Sequence, residues 1–154
     1  MRAQQGVGML EVLVALLLLA IGVLGFTALQ LRAVDASTEA NSRVTALTLA
    51  RDLTERMRSN PQAVRERFYV TSNTVTSTAT SAQLAAQDLA DIDAQAAQYG
   101  MAVLVEDCPV SNSSRQCIYV AWDKTAVDFD AVTQCYANGR YVQQAKCLYL
   151  EAYE

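Results

Sequence analysis

The pattern of hydrophobic and polar positions sets one N-terminal segment apart from the rest of the chain. Between residues 12 and 31 no side chain is charged, and only Thr27 and Gln30 are polar. A helix over these residues is about 30 Å long at a rise of about 1.5 Å per residue, which is enough to cross the hydrocarbon core of a bilayer. The pattern therefore predicts a membrane-spanning helix near the N-terminus.

A single carboxylate, that of Glu11, lies at the start of this apolar segment. A charged side chain at membrane depth costs a few kcal/mol, so Glu11 either reaches the headgroup region or has a specific partner. A cleaved secretory signal does not fit, because its apolar core has only about 7–15 residues and precedes a small-residue cleavage site. A signal anchor fits the length, but it gives no reason for the position of Glu11.

The residues around Glu11 resemble the class III signal of type IV prepilins and type II secretion pseudopilins. In that signal a short leader ends in glycine, here Gly6, a hydrophobic residue follows, here Val7, and glutamate is the fifth mature residue, here Glu11. The resemblance implies that a prepilin peptidase cuts between Gly6 and Val7 and methylates the amine of Val7. It also implies that Glu11 pairs with the N-terminal amine of a subunit during assembly, which neutralises two charges in an apolar bundle.

Apolar residues continue at helical spacing beyond the apolar segment, and the sequence Asn60-Pro61 is a stop signal. The spaced positions are Ala33, Ala36, Ala40, Val44, Leu47, Ala50 and Met57. We therefore predict one helix of about fifty residues, the second half of which is amphipathic. Its exposed side carries two expected ion pairs with a spacing of four residues, Arg51 with Glu55 and Asp52 with Arg56.

The first sixty residues also resemble the PilV group of minor pilins. The resemblance rests on residues 11–16, 21–25 and 49–61. It implies an α+β pilin fold, in which a long N-terminal helix packs on a small antiparallel-sheet head with disulfides. The expected division is a leader at 1–6, a transmembrane and assembly helix at 7–31, its amphipathic continuation at 32–60 and a periplasmic head at 61–154.

The remaining sequence predicts the elements of the head. Residues 70–81 are rich in Thr, Ser and Asn and are expected to form a mobile loop that buries little. A short helix is predicted over residues 84–99, with a core-facing stripe, followed by a stop at Gly100. Its stripe consists of Ala85, Leu89, Ile92, Ala96 and Tyr99. Strands are predicted at 101–105, 117–122 and 147–153, and the middle one has two distinct faces.

All four cysteines lie in the presumed periplasmic part, where disulfides are the default. Four cysteines permit three connectivities, which the sequence does not distinguish rigorously. We favour nearest neighbours, Cys108 with Cys117 and Cys135 with Cys147. Each bond would contribute about 3 kcal/mol in the chain-entropy model. A zinc site is the alternative, but the chain has no histidine and no closely spaced cysteine pair.

The chemistry of the sequence argues against an enzyme and a cofactor. There is no histidine, phosphate-binding loop or G-x-S-x-G motif, so no cofactor is expected. The acidic residues of the head are expected to be solvated, although a calcium loop remains an alternative; they are Asp88, Asp91, Asp93, Glu106 and Asp107. The tyrosines and Trp122 are expected to pack in the core or on a sheet face. The net charge of −4 disfavours direct nucleic-acid binding.

Taken with the resemblance, these patterns predict a minor pilin of a type IV pilus that acts in pilus initiation, the tip complex, adhesion or twitching motility. Expected partners are the prepilin peptidase, other minor pilins, the major pilin, the inner-membrane assembly platform and a tip adhesin. The chain would be a single-pass inner-membrane protein with a periplasmic head, and later part of the surface pilus. The alternatives are a minor pseudopilin of type II secretion and a membrane-anchored binding protein or enzyme.

Overall fold

A computed structural model describes residues 8–73, 76–109, 115–126, 134–137, 140–143 and 145–152. Gly6 and Val7, and with them the expected cleavage site, lie outside these residues. The chain divides into two compact units, residues 1–41 and 42–154. We call them the N-terminal unit and the C-terminal unit, and we describe each by itself.

Helix α1 runs from Met9 to Ser59 without interruption. Its 51 residues confirm the predicted long helix. The helix begins at Gly8, whose carbonyl accepts hydrogen bonds from the N–H groups of Glu11 and Val12. It ends at the predicted Asn60-Pro61 stop, because proline lacks an N–H group and disfavours a helical residue before it. The Asn60 side chain instead accepts from Ala63 N–H and caps the short helix α2, Pro61–Arg65, which was not predicted.

The C-terminal unit contains a third helix and two small sheets. Helix α3 covers Thr80–Gln98, and the strands are β1 Met101–Asp107, β2 Gln116–Trp122, β3 Tyr136–Ala137, β4 Arg140–Tyr141 and β5 Cys147–Ala152, with a 3-10 turn at Asp123–Ala126. The first sheet is antiparallel with the order β1-β2-β5, and β3 pairs with β4 in the second. The three predicted strands are confirmed; β3 and β4 were not predicted, because strands of two residues are too short to show a period.

Strand β2 is the centre of the C-terminal unit, and its seven residues are all buried. Ile118, Val120 and Trp122 face a core that includes α1, α2, α3 and β1 residues. On the opposite face, Cys117 and Tyr119 join a second cluster with the other three cysteines. The two faces predicted for this strand are confirmed. Because both faces are covered, the strand has a continuous apolar sequence and not an alternating one.

Helix α3 begins four residues earlier than predicted, because Thr80 and Ser81 belong to its first turn. First-turn N–H groups have no intrahelical partners, so hydroxyl residues are tolerated there. The Asn60 side chain also donates to the Ser81 carbonyl at 2.9 Å, which fixes this end from another part of the chain. Tyr99, predicted to face the core, is 62% exposed because the helix ends one residue before it; Gly100, at φ +63°, is the predicted stop.

Two details of the predicted amphipathic half of α1 need correction. Its buried residues are Ala46, Leu49, Ala50, Leu53, Thr54 and Met57, so the buried face is centred away from Val44, which is exposed. The Asp52–Arg56 ion pair is present at 3.4 Å, but Glu55 pairs with Arg58 at 3.1 Å instead of with Arg51. The face that is buried depends on where the sheet and α3 lie, which helical period alone does not specify.

Residues 70–73, at the start of the segment predicted as a mobile loop, are irregular but attached to the sheet. Val70 is buried. Thr71 N–H donates to the Val105 carbonyl at 2.8 Å, and Val105 N–H donates to the Thr71 hydroxyl oxygen at 2.9 Å. These bonds satisfy part of the outer edge of β1, so the first residues of this segment act as an edge cover.

Candidate functional site

The N-terminal unit presents an apolar helix surface that no described residue covers. Every side chain from residue 8 to residue 38 is exposed, including Leu24 and Leu29 at 70% each. Contiguous apolar surface of this size marks a contact with a membrane or with other proteins. Among the described residues, α1 is the one helix long and apolar enough to cross a membrane. The predicted membrane-length helix therefore has no packing partner in the part of the chain that the structure describes.

Glu11 lies in the first turn of this helix. Unsatisfied N–H groups give the start of a helix a partial positive charge, which favours a carboxylate there. Within the described residues the Glu11 carboxylate makes no ion pair or hydrogen bond, so it is available to a group from outside the chain.

One polar side chain in the apolar part of the helix, that of Thr27, is paired within the helix. The Thr27 hydroxyl donates to the Leu24 carbonyl at 2.9 Å, which removes the cost of an unpaired hydroxyl in lipid. Gly22 and Gly25 lie within the continuous α1. A side chain at either position would meet open space, so packing within the chain does not require glycine there.

In the C-terminal unit, an ionic cluster joins α1 to α3. Asp88 is only 7% exposed, and its two carboxylate oxygens accept from the Tyr69 hydroxyl at 2.6 Å and from Arg56 Nη1 at 3.3 Å. The same nitrogen also donates to Asp91 at 3.3 Å. Asp88 was predicted to be solvated, and that prediction is wrong. The signal was present, because Asp88 lies between Ala85 and Ile92 on the buried stripe of α3.

The pKa values in this cluster reflect burial and pairing. Burial raises the pKa of Tyr69 well above its usual range, and the hydrogen bond to Asp88 adds to the shift. For Arg56, burial acts to lower the pKa, but the hydrogen bonds to Asp52 and Asp88 outweigh it, so the pKa is raised overall. In this cluster Tyr69 is neutral, Arg56 is charged, and both are paired with Asp88. The cluster holds α1 and α3 together.

The two disulfides close the second face of the sheet. They join Cys108 to Cys117, with a Cα–Cα distance of 5.0 Å, and Cys135 to Cys147, at 5.9 Å. This is the nearest-neighbour pairing favoured from the sequence. The first bond links the adjacent ends of β1 and β2. The second links β5 to the segment just before β3. No cysteine is free, so no thiolate is left for the zinc site considered as an alternative.

Four tyrosines pack beside the second disulfide. The ring of Tyr149 lies 5.9 Å from that of Tyr119, 5.6 Å from that of Tyr136 and 6.2 Å from that of Tyr141, between ring centroids. These distances are typical of aromatic packing, which is the role predicted for most of the tyrosines. Tyr153 lies outside the described residues. Burial raises the pKa of Tyr119 to about 12, and its buried hydroxyl has no hydrogen-bond partner among the described residues.

Two other acidic residues of the C-terminal unit, Glu106 and Asp107, are paired at the surface. Glu106 accepts from the Ser72 hydroxyl at 2.8 Å, and Asp107 pairs with Arg67. Hydrogen bonding to Asp107 is the main reason that the pKa of Arg67 is raised. Among the described residues there is no group of three or more potential metal ligands, which leaves the calcium alternative without a candidate site in this part of the chain.

Together, the exposed apolar helix and the small disulfide-bonded α+β unit define a pilin-like protein. Comparison with protein families agrees with this class. Residues 1–27 match the prokaryotic N-terminal methylation motif, and residues 28–102 match the family described as type IV pilin Tt1218. The two matches together cover residues 1–102, and they support a type IV pilin with an N-terminal methylation motif. Comparison with curated proteins and with solved structures returned no match.

These matches have two direct consequences. The chain is a structural protein and not an enzyme. Its N-terminal methylation motif implies processing by a prepilin peptidase and assembly with other pilins. The match over residues 1–27 supports a class III signal at the N-terminus, whereas cleavage after Gly6, methylation of Val7 and the pairing of Glu11 stay predictions.

Proposed function

We propose that this chain is a minor pilin of a type IV pilus, which takes part in initiating the filament and forming its tip, and thereby supports adhesion or twitching motility. The observation that carries the proposal is the exposed apolar surface of residues 12–31, which follows a matched methylation motif. A surface of this kind has to be covered by lipid before assembly and by other pilin helices after it.

The proposed mechanism uses the N-terminal residues in sequence. A prepilin peptidase cuts after Gly6, which removes residues 1–6, and then methylates the amine of Val7. The helix over 7–31 stays in the inner membrane while 32–60 continues it, and 61–154 forms the periplasmic head. The Glu11 carboxylate then pairs with the N-terminal amine of a neighbouring subunit, since each charge removes the cost of burying the other.

The proposed partners follow from this mechanism. Other minor pilins and the major pilin pack on the apolar helix, and the inner-membrane platform moves the subunit into the growing filament. The head contacts neighbouring minor pilins or a tip adhesin. We place the chain first in the inner membrane and then in the pilus on the cell surface. None of these contacts involves nucleic acid in our proposal.

The first test is the mass of the N-terminal peptide of the membrane protein, compared between cells with and without prepilin peptidase. The expected result is a peptide that begins with N-methylated Val7 in the first cells only. A leader of residues 1–6 retained in both would contradict the assembly mechanism. It would make the chain a membrane-anchored binding protein and leave Glu11 as an interfacial charge.

The second test replaces the Glu11 carboxylate by an isosteric amide. We expect Glu11→Gln to be cleaved but to be lost from sheared pili, because the neighbouring amine then has no counter-charge. Asp35→Asn is the matched control, an exposed acid of the same unit that lies beyond the apolar segment. Equal recovery of both variants in pili would contradict the role of Glu11.

A genetic test separates the pilus from type II secretion. Deletion of the gene is expected to reduce surface pili and twitching while leaving protein secretion intact. The reverse outcome, blocked secretion with normal pili and twitching, would replace the minor pilin by a minor pseudopilin. Both outcomes keep the pilin family and the processing step.

A further inference from the structure

The outer edge of β5 is open among the described residues. In an antiparallel ladder, the backbone groups of successive residues point to opposite edges of the strand. The N–H group of Trp122 donates to the carbonyl of Lys146, which places the inward-pointing groups of β5 at residues 148, 150 and 152. The N–H and C=O groups of Cys147, Tyr149 and Glu151 therefore point outward, where no described residue pairs with them. The opposite edge of the sheet, by contrast, is partly covered by Thr71.

Two apolar clefts lie along this edge, both between α1 and the sheet. The first, of about 330 Å³, is lined by Arg43, Val44, Leu47, Trp122, Tyr141, Cys147 and Leu148. The second, of about 200 Å³, is lined by Thr54, Met57, Arg58, Pro61, Val64, Arg65 and Ala152. Leu148 and Ala152 lie near opposite ends of β5, so one cleft lies near each end of this strand. In an added strand, side chains four residues apart and on the same face would be level with the two clefts.

The charges along the clefts are of one sign. Arg58 and Arg65 line the second cleft, and no acidic residue lines either cleft. The side chain of Arg65 makes no ion pair or hydrogen bond among the described residues. Arg58 pairs with Glu55 at 3.1 Å, but both side chains are more than half exposed, and such a surface pair is worth at most about 1 kcal/mol. The guanidinium of Arg58 also has five donors, so it can hold a second carboxylate.

We propose that the open edge of β5 binds an extended segment of another protein chain by strand addition, and that this segment carries apolar side chains on one face, ending in a carboxylate held by Arg58 and Arg65. Backbone hydrogen bonds to Cys147, Tyr149 and Glu151 hold the segment, and the clefts select its side chains. The proposal goes beyond the minor pilin function, because it uses only the C-terminal unit and does not depend on processing or on Glu11.

The test measures binding of a labelled peptide to the full chain in detergent micelles. The probe is acetyl-Glu-Thr-Val-Thr-Val-Thr-Val-amide, whose valines and glutamate share one face and whose threonines face the other. In an antiparallel arrangement the glutamate lies at the Ala152 end, near both arginines. We expect saturable binding by fluorescence anisotropy. A version with N-methylated threonines lacks the edge-facing donors, and its binding is expected to be lost.

Variants of the chain test the arginine contacts and the backbone hydrogen bonds of β5 separately. The double variant Arg58→Ala with Arg65→Ala is expected to weaken binding about tenfold, since it removes charge-assisted hydrogen bonds. The control Arg51→Ala removes an exposed arginine of the same helix that lines neither cleft and is expected to have no effect. Glu151→Pro blocks an outward N–H group and is expected to abolish binding, whereas Glu151→Ala retains it.

Three outcomes would overturn the proposal. The first is equal binding of the N-methylated peptide, which excludes strand addition. The second is equal binding of a peptide with lysine in place of glutamate, which excludes the arginine site. The third is no peptide binding together with Arg58- and Arg65-dependent binding of phosphatidylglycerol vesicles, which assigns the arginines to a lipid surface. Unfolding curves of each variant, followed by Trp122 fluorescence, show whether a loss of binding reflects a loss of fold.

Discussion

The two units of this chain contain similar side chains in opposite situations. In the N-terminal unit, Leu17 and its neighbours are about 60% exposed, whereas in the C-terminal unit Leu53 and Ile118 are fully buried. The hydrophobic effect stabilises the C-terminal unit from within, because its apolar surface is removed from water by the fold. The apolar surface of the N-terminal unit leaves water only when lipid or other subunits cover it. The fold of the C-terminal unit is thus stabilised by its own core, whereas the N-terminal unit depends on lipid or on other subunits to cover its apolar surface.

The largest expected effect is a contrast between two leucines of the same helix. Leu53→Ala is predicted to lower the free energy of unfolding of the C-terminal unit by about 2–5 kcal/mol, because it leaves a cavity in the core. Leu17→Ala is predicted to change it by less than about 0.5 kcal/mol. The measurement is denaturant unfolding of the full chain in detergent, followed by the fluorescence of Trp122, the single tryptophan. Similar losses for both variants would remove the distinction between the units.

The second prediction concerns the two disulfides of the C-terminal unit. Replacing Cys135 and Cys147 together by alanine is predicted to cost about 3 kcal/mol, since it frees a closed loop in the unfolded chain and releases β5 from the segment before β3. Replacement of Cys108 and Cys117 is expected to cost a similar amount but to leave β1 and β2 paired, because their ladder runs from Met101 to Asp107. Hydrogen exchange of the backbone amides in β1 and β2 distinguishes the two double variants. Loss of β1–β2 protection in the Cys108 and Cys117 variant would contradict this.

The third prediction compares two buried tyrosines of the C-terminal unit. Tyr69→Phe is predicted to cost about 1–3 kcal/mol, because the Asp88 carboxylate loses a hydrogen bond in a buried site. Tyr119→Phe is predicted to be neutral or stabilising, because it removes a buried hydroxyl that has no partner among the described residues. Both are measured by the same unfolding curves. A large loss for Tyr119→Phe would show that its hydroxyl is paired in solution.

The fourth prediction concerns the dependence of stability on alkaline pH. Burial raises the pKa of Tyr119 to about 12, and that of Tyr69 is raised as well, above their value of about 10 in the unfolded chain. The folded state therefore keeps protons that the unfolded state releases. The resulting stability is complete below pH 10 and falls as pH rises toward 12, by at most about 1.4 kcal/mol per pH unit for each tyrosine.

The same titration also separates the two units. Residues 1–41 contain no tyrosine, so the helical signal of the N-terminal unit is expected to persist in micelles while the Trp122 signal is lost. The variant Tyr119→Phe should lose stability less steeply with pH than the original chain. If the slope is unchanged in that variant, Tyr119 does not titrate in the unfolding transition.

Much of this architecture could be predicted from local pattern. The length of α1 and its end at Asn60-Pro61, the three strands of the main sheet, the two faces of β2 and the stop at Gly100 each depend on a few neighbouring residues. Nearest-neighbour pairing also anticipated the disulfides; Cys108 follows β1 directly, and Cys117 lies in β2, which pairs with β1. For the site, Glu11 and the apolar segment were visible in the sequence because their pattern conflicts with a soluble fold.

The sequence by itself thus determined a long helix with an uncovered apolar half, a lone carboxylate at its start and a small disulfide-bonded sheet. Tertiary structure decided which face of α1 is buried, where α3 begins, that Asp88 is a buried partner of Tyr69 and Arg56, and that no described residue pairs with the outer edge of β5. The physical reason is the distance along the sequence over which each interaction acts. Period, caps and stop signals act within a few residues, whereas burial, ion pairing and strand edges depend on segments brought together from distant parts of the chain.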